Sequence, residues 1–128
     1  MTTIRMALIG CGRRSPAWLR TLQLVEGVEL VALCDPLEPR LRDRLSLVND
    51  KAKVACFTDH RKLIRELDFD AAAIVTEPEY QASLSIEFMN AGKDVISEVP
   101  VTSTSATSRS VTTRITTIRA HPRSGPSP

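Results

Sequence analysis

The sequence lacks a hydrophobic run long enough to cross a membrane, a secretory signal and any closely spaced pair of cysteines. No apolar stretch approaches the roughly 20 residues of a membrane-spanning helix, and the opening stretch MTTIRMALIGCG contains an arginine and no small-residue cleavage site. Cys11, Cys34 and Cys56 are too widely spaced in sequence for a metal-binding or redox pair. Their odd number and the missing signal lead us to expect a protein of the reducing cytoplasm.

Acidic residues are absent from the last 28 positions, which contain four arginines and 13 serines or threonines. The rest of the chain has 13 basic and 15 acidic residues, so the overall charge of +2 comes from this tail. A basic tail could contact nucleic acid or an anionic membrane. Four dispersed arginines without aromatic neighbours instead favour a solvated segment. We therefore expect residues 101–128 to be disordered, with neither nucleic acid nor membrane as a partner.

The first 100 residues, in contrast, alternate between short apolar runs and amphipathic segments. Five strands are predicted at 4–10, 28–35, 53–58, 69–76 and 94–97. Four helices are predicted between them, at 15–25, 38–48, 59–67 and 80–92. This alternation indicates a single α/β domain in residues 1–100, with a doubly wound parallel sheet of about five strands. Ser15 and Asp59 are expected to cap helix starts, and Gly92 a helix end.

A glycine-rich turn, GCGRRS, connects the first predicted strand to the first helix. Gly10 and Gly12 occupy the first two positions of the dinucleotide-binding fingerprint, and Ser15 stands at the third, where glycine or alanine is usual. The first glycine allows a tight turn, the second lets the backbone approach a pyrophosphate, and the third permits close packing of helix and strand. Free N–H groups at the helix start would then hold the phosphates. The pattern therefore predicts a Rossmann-like cofactor domain.

The remaining candidate contacts with the cofactor lie in the same turn and at the end of the second strand. Cys11, Arg13 and Arg14 belong to the turn, although the two arginines could instead be solvated at the helix start. Asp35 follows Gly12 by 23 residues, where a carboxylate can accept from both ribose hydroxyls of an adenosine. It would repel the 2′-phosphate of NADP, and Pro36 supplies no compensating charge. The sequence therefore predicts NAD as the cofactor, with NADP less favoured.

Five segments resemble, in order, the N-terminal domain of the Gfo/Idh/MocA oxidoreductases over residues 4–100: IGCGRRSPAWLR, VALCDP, FTDHRKLI, DFDAAAIVTEPEYQASLSIEFMNAGKDVI and SEVP. The resemblance implies a nicotinamide-binding domain, followed in the family by a larger domain with substrate contacts and catalytic groups. It implies hydride transfer to or from sugars and polyols. It also implies cofactor contacts by Thr76, at the end of the fourth strand, and by Glu98, in the family's Glu-Lys-Pro motif.

The chain departs from the family pattern at positions that bear on catalysis. Val99 replaces the motif lysine, which is implied to bind substrate and assist proton transfer, and Gln81 stands where a histidine is common. His60 is expected to lie on the surface far from the glycine turn, and His121 to lie in the tail. Tyr80 could approach the nicotinamide, or lie in the core or at a rim.

These observations favour the NAD-binding domain of an oxidoreductase, with no catalytic residue, no metal site and little or no activity of its own. Two alternatives are a non-catalytic dinucleotide-binding module and an inactive gene remnant. Because the alternation ends after Pro100, we expect a changed reading frame or an interrupted gene there. The fifth strand would then present an open edge for self-association.

Overall fold

A six-stranded sheet forms the centre of the fold. The computed structural model describes residues 3–100 and 113–118, and of residues 98–100 and 113–118 it describes the backbone. The strands are β1 (Ile4–Ile9), β2 (Val28–Cys34), β3 (Ala55–Phe57), β4 (Ala71–Ile74), β5 (Asp94–Pro100) and β6 (Thr113–Ile118). The helices are α1 (Ser15–Leu24), α2 (Glu38–Leu45), α3 (His60–Glu66) and α4 (Pro78–Asn90), with a short 3-10 helix at Lys51–Lys53. The five predicted strands and four predicted helices are confirmed, with ends that differ by a few residues.

The strand order is β3-β2-β1-β4-β5-β6. β1 pairs in parallel with both β2 and β4, and β3 and β5 extend the parallel sheet on either side. The chain order therefore reverses between β1 and β4. In open α/β sheets, ligands bind at the carboxyl ends of the strands beside such a switch point. The Rossmann-like fold predicted from the sequence is confirmed.

Two separate layers of buried side chains cover the two faces of the parallel sheet. Met6 and Leu8 of β1 belong to one layer, together with residues of α1 and α2. Ala7 and Ile9 belong to the other, together with residues of α3 and α4. Successive side chains of a strand point to opposite faces, so a continuous apolar run supplies both layers. This is why the central strands β1, β2 and β4 consist mainly of apolar residues.

The sixth strand corrects the expectation for part of the tail. Residues 113–118, which we expected to be disordered, pair antiparallel with β5 from Val95↔Ile118 to Pro100↔Thr113. The segment TRITTI is rich in β-branched residues, which favour strands. We had expected this edge of β5 to be open. In the described part of the chain it is instead paired with β6. The rest of residues 101–128 lies outside the described residues.

Two of the three predicted helix ends are confirmed. The side chain of Asp59 accepts a hydrogen bond from the backbone N–H of Arg61 at 3.0 Å, at the start of α3. Gly92 follows α4 with a φ of 85°, the left-handed conformation typical of a helix end. Ser15 does not cap α1: Arg14 is the capping residue, without a side-chain cap, and Ser15 is the first residue of the helix.

Candidate functional site

A cavity of about 680 Å³ lies over the carboxyl ends of β1, β2 and β4. Its wall includes the glycine turn after β1, the residues that follow β2 and β3, and the start of α4. The lining residues include Gly10, Gly12, Arg13, Arg14, Asp35, Arg40, His60, Thr76, Tyr80 and Glu87. The fold thus brings together residues that are far apart in sequence, at the switch point where a ligand is expected.

Gly10 makes the turn after β1 with a φ of 103°, a conformation that residues with a side chain rarely adopt. A Cβ added there would lie 2.9 Å from the backbone carbon and oxygen of Val75, immediately after β4. The Gly10 N–H donates to the carbonyl of Cys34 at 2.8 Å, which ties the turn to β2. Both the conformation and the lack of space therefore require glycine at this position.

Gly12 is open towards the cavity. A Cβ added to it would meet only Nη1 of Arg40, at 3.7 Å. Within the described part of the chain, the backbone N–H groups of Gly12 and Arg13 have no hydrogen-bond partner. A backbone without side chain, next to available N–H donors at a helix start, is the arrangement that accommodates a phosphate group.

Asp35 connects the end of β2 to the glycine turn. Its Oδ2 accepts from the backbone N–H of Cys11 at 2.8 Å, and its Oδ1 accepts from the N–H of Leu37 at 2.8 Å. The residue is only 3% exposed, yet it lines the cavity. A carboxylate oxygen can accept more than one hydrogen bond, so acceptor capacity remains for a ligand. The sequence predicted a ribose contact here but not that Asp35 holds the turn.

Arg40 is a cavity residue that the sequence analysis missed. Its Nη1 lies 3.7 Å from Oδ2 of Asp35, and its side chain is 44% exposed. We had considered only Pro36 as a source of positive charge beside Asp35. The signal in the sequence was the position of Arg40 in the first turn of the helix after Asp35, from which a long side chain reaches back over the strand end.

Two predicted contacts, Cys11 and Ser15, do not line the cavity. Both residues are fully buried. Burial, with a smaller contribution from the Asp35 carboxylate, raises the pKa of the Cys11 thiol to about 12. The Ser15 hydroxyl donates to the carbonyl of Gly12 at 2.7 Å and accepts from Nε of Arg44 at 2.7 Å. These side chains therefore support the turn from behind.

Thr76 lines the cavity together with Tyr80, and its contact with a cofactor stays a prediction. The carbonyl of Thr76 accepts from Nε2 of Gln81 at 2.8 Å, so the residue that stands in place of the family's histidine holds the loop after β4. Tyr80 is 54% exposed and therefore lies at the rim, one of the roles left open above.

The expectation for His60 was wrong in one respect. His60 lines the same cavity as Gly10, although we had expected it to lie far from the glycine turn. Its Nε2 lies 2.8 Å from Oε1 of Glu87, which also accepts from Nε of Arg61 at 3.1 Å. Hydrogen bonds from Arg61 and then from His60 lower the pKa of Glu87. The carboxyl ends of neighbouring parallel strands lie close together, which explains the approach of His60.

The motif at the end of β5, Glu98-Val99-Pro100, is described only through its backbone. Glu98 and Val99 pair with Ile115 and Arg114 of β6. Their side chains, and His121, lie outside the described residues, so the predicted contact of Glu98 with a cofactor stays a prediction. Among the residues that are described, no helix is long and apolar enough to cross a membrane.

A parallel sheet with a glycine turn at the point where the strand order reverses is the architecture of a Rossmann-type nucleotide-binding domain. The comparison with known families narrows this class. The model of the family described as "Oxidoreductase family, NAD-binding Rossmann fold" (GFO_IDH_MocA) matches residues 4–117. The chain therefore belongs to the Gfo/Idh/MocA oxidoreductase family, and it is an NAD-binding Rossmann domain of the kind found in dehydrogenases.

Curated relatives carry a different kind of name. "Glycosyl hydrolase family 109 protein 1" of Bacteroides thetaiotaomicron is 29% identical over 110 residues, covering 81% of this chain and 24% of the relative. A "Glycosyl hydrolase family 109 protein" of Shewanella baltica is 32% identical over 107 residues, covering 79% of this chain and 23% of the relative. The chain thus spans about a quarter of the length of these relatives.

Solved structures of dehydrogenases share the fold. Myo-inositol 2-dehydrogenase from Lactobacillus plantarum is 29% identical with a TM-score of 0.69, covering 77% of this chain and 29% of the other. The WlbA dehydrogenase from Bordetella pertussis, solved with NADH and UDP-GlcNAcA, is 26% identical with a TM-score of 0.68, covering 75% of this chain and 27% of the other.

Proposed function

We propose that the cavity binds NAD, with its pyrophosphate at the glycine turn and its adenosine ribose at Asp35. The observation that carries this proposal is the open side of Gly12 next to the available N–H groups of Gly12 and Arg13. These donors, and the positive end of α1, are suited to two phosphate groups. Arg13 and Arg14, at the cavity wall, add positive charge near the same groups.

The balance of charge around Asp35 favours NAD over NADP. A 2′-phosphate would be repelled by the Asp35 carboxylate, which is buried and holds two backbone N–H groups. Arg40 opposes this effect because its guanidinium lies close to the same carboxylate. We therefore expect a preference for NAD that is smaller than a carboxylate alone would produce.

For a longer protein that contains this domain, we propose hydride transfer between the nicotinamide and a sugar or polyol. The nicotinamide, when bound, accepts or donates the hydride, and this chain's residues bind and orient the dinucleotide. Glu98, near the end of β5, is proposed to border the nicotinamide end. His60 follows β3, across the sheet from β5 in the strand order. It is therefore not our candidate for an acid or base. We propose that the chain by itself has little or no activity.

Titration of the chain with NADH and with NADPH, by calorimetry, tests the binding proposal directly. We expect saturable binding of NADH and weaker binding of NADPH. If neither NADH nor NADPH binds, the proposal is disproved and an inactive remnant is favoured. Addition of a panel of polyols and sugars with NAD⁺ then separates an enzyme from a non-catalytic binding module, because only an enzyme accumulates NADH.

Glycoside hydrolysis is a second candidate for the activity of a longer protein that contains this domain, because two curated relatives are named glycosyl hydrolases. Hydrolysis of a glycosidic bond consumes water and leaves the overall oxidation state of the sugar unchanged. A polyol dehydrogenase instead converts NAD⁺ to NADH as substrate is consumed. A longer protein that contains this domain should therefore release free sugar without net formation of NADH if this second candidate is correct.

A further inference from the structure

The carbonyl oxygen of Gly12 accepts hydrogen bonds from three donors. The backbone N–H of Ser15 donates at 3.1 Å and the Ser15 hydroxyl at 2.7 Å. Nη2 of Arg44, which comes from α2, donates at 3.0 Å. The middle residue of the glycine turn is therefore held by its carbonyl, on the side away from the cavity, since neither Ser15 nor Arg44 is among the residues that line it.

Arg44 reaches the turn with a fork of two donors. While Nη2 contacts Gly12, Nε of the same guanidinium donates to the Ser15 hydroxyl at 2.7 Å. The Arg44 side chain is only 18% exposed, and Nη1 contacts the carboxylate of Asp43 at 2.6 Å. Each part of the guanidinium thus has a partner. Partly buried, charge-assisted hydrogen bonds with this geometry are among the stronger ones in proteins.

The orientation of this carbonyl determines where the next N–H points. A peptide bond is planar and trans, so the C=O of Gly12 and the N–H of Arg13 point in opposite directions. When Arg44 and Ser15 hold the carbonyl behind the turn, the N–H of Arg13 must point to the other side. Gly12 and Arg13 line the cavity on that side. The contacts of Arg44 therefore aim a donor at the proposed pyrophosphate position.

We propose that Arg44 is a positioning residue that fixes the peptide between Gly12 and Arg13 for pyrophosphate binding. It acts directly on the Gly12 carbonyl and also through the hydroxyl of Ser15. Ser15 stands at the third fingerprint position, where glycine or alanine would offer no such contact. The effect on cofactor affinity rests on the proposed function, whereas the effect on the peptide itself does not. The two can therefore be tested separately.

The first test concerns the peptide and needs no ligand. We compare backbone ¹⁵N relaxation in the wild-type chain, in Arg44→Gln and in Arg42→Gln. Arg42 lies on the same helix, is 75% exposed and pairs with Glu38, so its replacement controls for the loss of charge. In Arg44→Gln, the order parameter of the Arg13 N–H should fall from about 0.85 to below about 0.6. Unchanged order in Arg44→Gln would overturn the proposal.

The second test concerns affinity for ligands with and without a pyrophosphate. For Arg44→Gln, we expect the Kd of NADH and of ADP to rise about tenfold, and that of adenosine to change less than about twofold. A purely structural role would weaken all three ligands alike, and this result would overturn the inference. If the wild-type chain binds none of them, the proposed function fails, and the relaxation experiment still decides whether Arg44 orients the peptide.

Conservative and double variants separate the fork from simple charge. Arg44→Lys keeps the charge but provides no fork, so the Kd of ADP should still rise several-fold; wild-type affinity would mean that only the charge matters and would contradict the proposal. Ser15→Ala should weaken ADP binding as well. In the double variant with Arg44→Gln, the loss should be less than the product of the two single losses, because both side chains hold one carbonyl. A fully multiplicative loss would contradict their joint action.

Discussion

The carboxylate of Asp35 accepts a hydrogen bond from the backbone N–H of Cys11 at 2.8 Å. This contact joins the end of β2 to the turn between β1 and α1, across 24 residues of sequence. The residue that we propose to hold the ribose therefore also holds the turn that we propose to hold the pyrophosphate. Changes at Asp35 should consequently affect both the cofactor preference and the stability of the domain.

Replacement of Asp35 by asparagine should change the preference between the two dinucleotides. The Asp35→Asn amide can still accept from Cys11, but its NH₂ group would face the N–H of Leu37 and the negative charge is lost. We expect NADH to bind about tenfold more weakly or worse, NADPH to lose less, and the free energy of unfolding to fall by about 1–3 kcal/mol. Calorimetry and urea unfolding provide these values.

Asp68→Asn is the matched control for this prediction, because Asp68 is an exposed carboxylate that pairs with Arg5 at the opposite end of the sheet. It should leave both affinities unchanged. Equal losses of NADH and NADPH affinity in Asp35→Asn would contradict the role that we assign to its charge.

Alanine at Gly10 should mainly lower the stability of the domain, whereas alanine at Gly12 should mainly lower its affinity for NADH. Gly10→Ala places a Cβ 2.9 Å from the backbone of Val75 at a φ of 103°, and should cost about 1–3 kcal/mol of stability or more. Gly12→Ala meets only Arg40 Nη1 at 3.7 Å, so its stability should stay within about 1 kcal/mol of wild type. Its methyl group would nevertheless occupy the approach of the pyrophosphate, so NADH affinity should fall about tenfold or more.

Gly27→Ala supplies the control for backbone strain alone. Gly27 has a φ of 89°, and a Cβ there would find nothing within 4 Å. Its destabilisation should therefore be smaller than that of Gly10→Ala. A Gly12→Ala variant that binds NADH as tightly as wild type would place the pyrophosphate elsewhere.

The cysteines should report folding and its dependence on pH. Cys56 is exposed, whereas Cys11 and Cys34 are buried. A thiol reagent should therefore modify one cysteine rapidly in the folded chain and all three in denaturant.

Burial, followed by the Asp35 carboxylate, raises the pKa of both buried thiols from 9.0 to about 12. The unfolded chain loses these protons first, so this contribution to stability is complete below pH 9 and decreases as the pH rises towards about 12.

The number of cysteines modified by the reagent tests the first expectation. The midpoint of urea unfolding, measured between pH 7 and about pH 10.5, tests the dependence on pH. The Cys56→Ser variant should show no rapid modification in the folded state. Rapid reaction of a second cysteine under native conditions would mean that one of the two buried layers opens readily, since Cys11 belongs to one and Cys34 to the other.

Removal of β6 should change the state of association. A chain that ends at residue 112 leaves the edge of β5 without its antiparallel partner, from Val95 to Pro100. An open edge is a template for pairing with another chain. We expect concentration-dependent association of the shortened chain in sedimentation experiments, and a smaller tendency in the full chain. A shortened chain that stays monomeric would show that β6 does not protect this edge.

The parallel sheet and the glycine turn could be predicted because their signals are local. A buried parallel strand is a continuous apolar run, and the helices between such runs have a regular apolar stripe. The turn was recognisable because Gly10 follows the first run directly. The antiparallel β6 was missed because its β-branched residues lie in a polar, threonine-rich segment. Its partner, β5, lies before that segment, so no short hairpin pattern connects the two strands in the sequence.

The roles of individual side chains at the site depended on distance in space. Arg40, Arg42 and Arg44 lie on one charged helix. The position of Arg40 in its first turn was a signal, but nothing in the sequence separates Arg44 from Arg42. The fold directs Arg40 to the cavity, Arg44 behind the turn and Arg42 to solvent. Ser15 was assigned to a cap from its position before a proline, whereas tertiary contacts with Gly12 and Arg44 determine what its hydroxyl does.

The fold class, the glycine turn and the acid after β2 could all be recognised from short stretches of residues, because hydrophobic burial and backbone conformation act over a few neighbours. The contacts of Asp35 and Arg44 with the turn, the approach of His60 to the cavity and the pairing of β6 with β5 became visible in the folded structure. These relationships join residues on separate elements, and the order in which the strands pair brings those elements together.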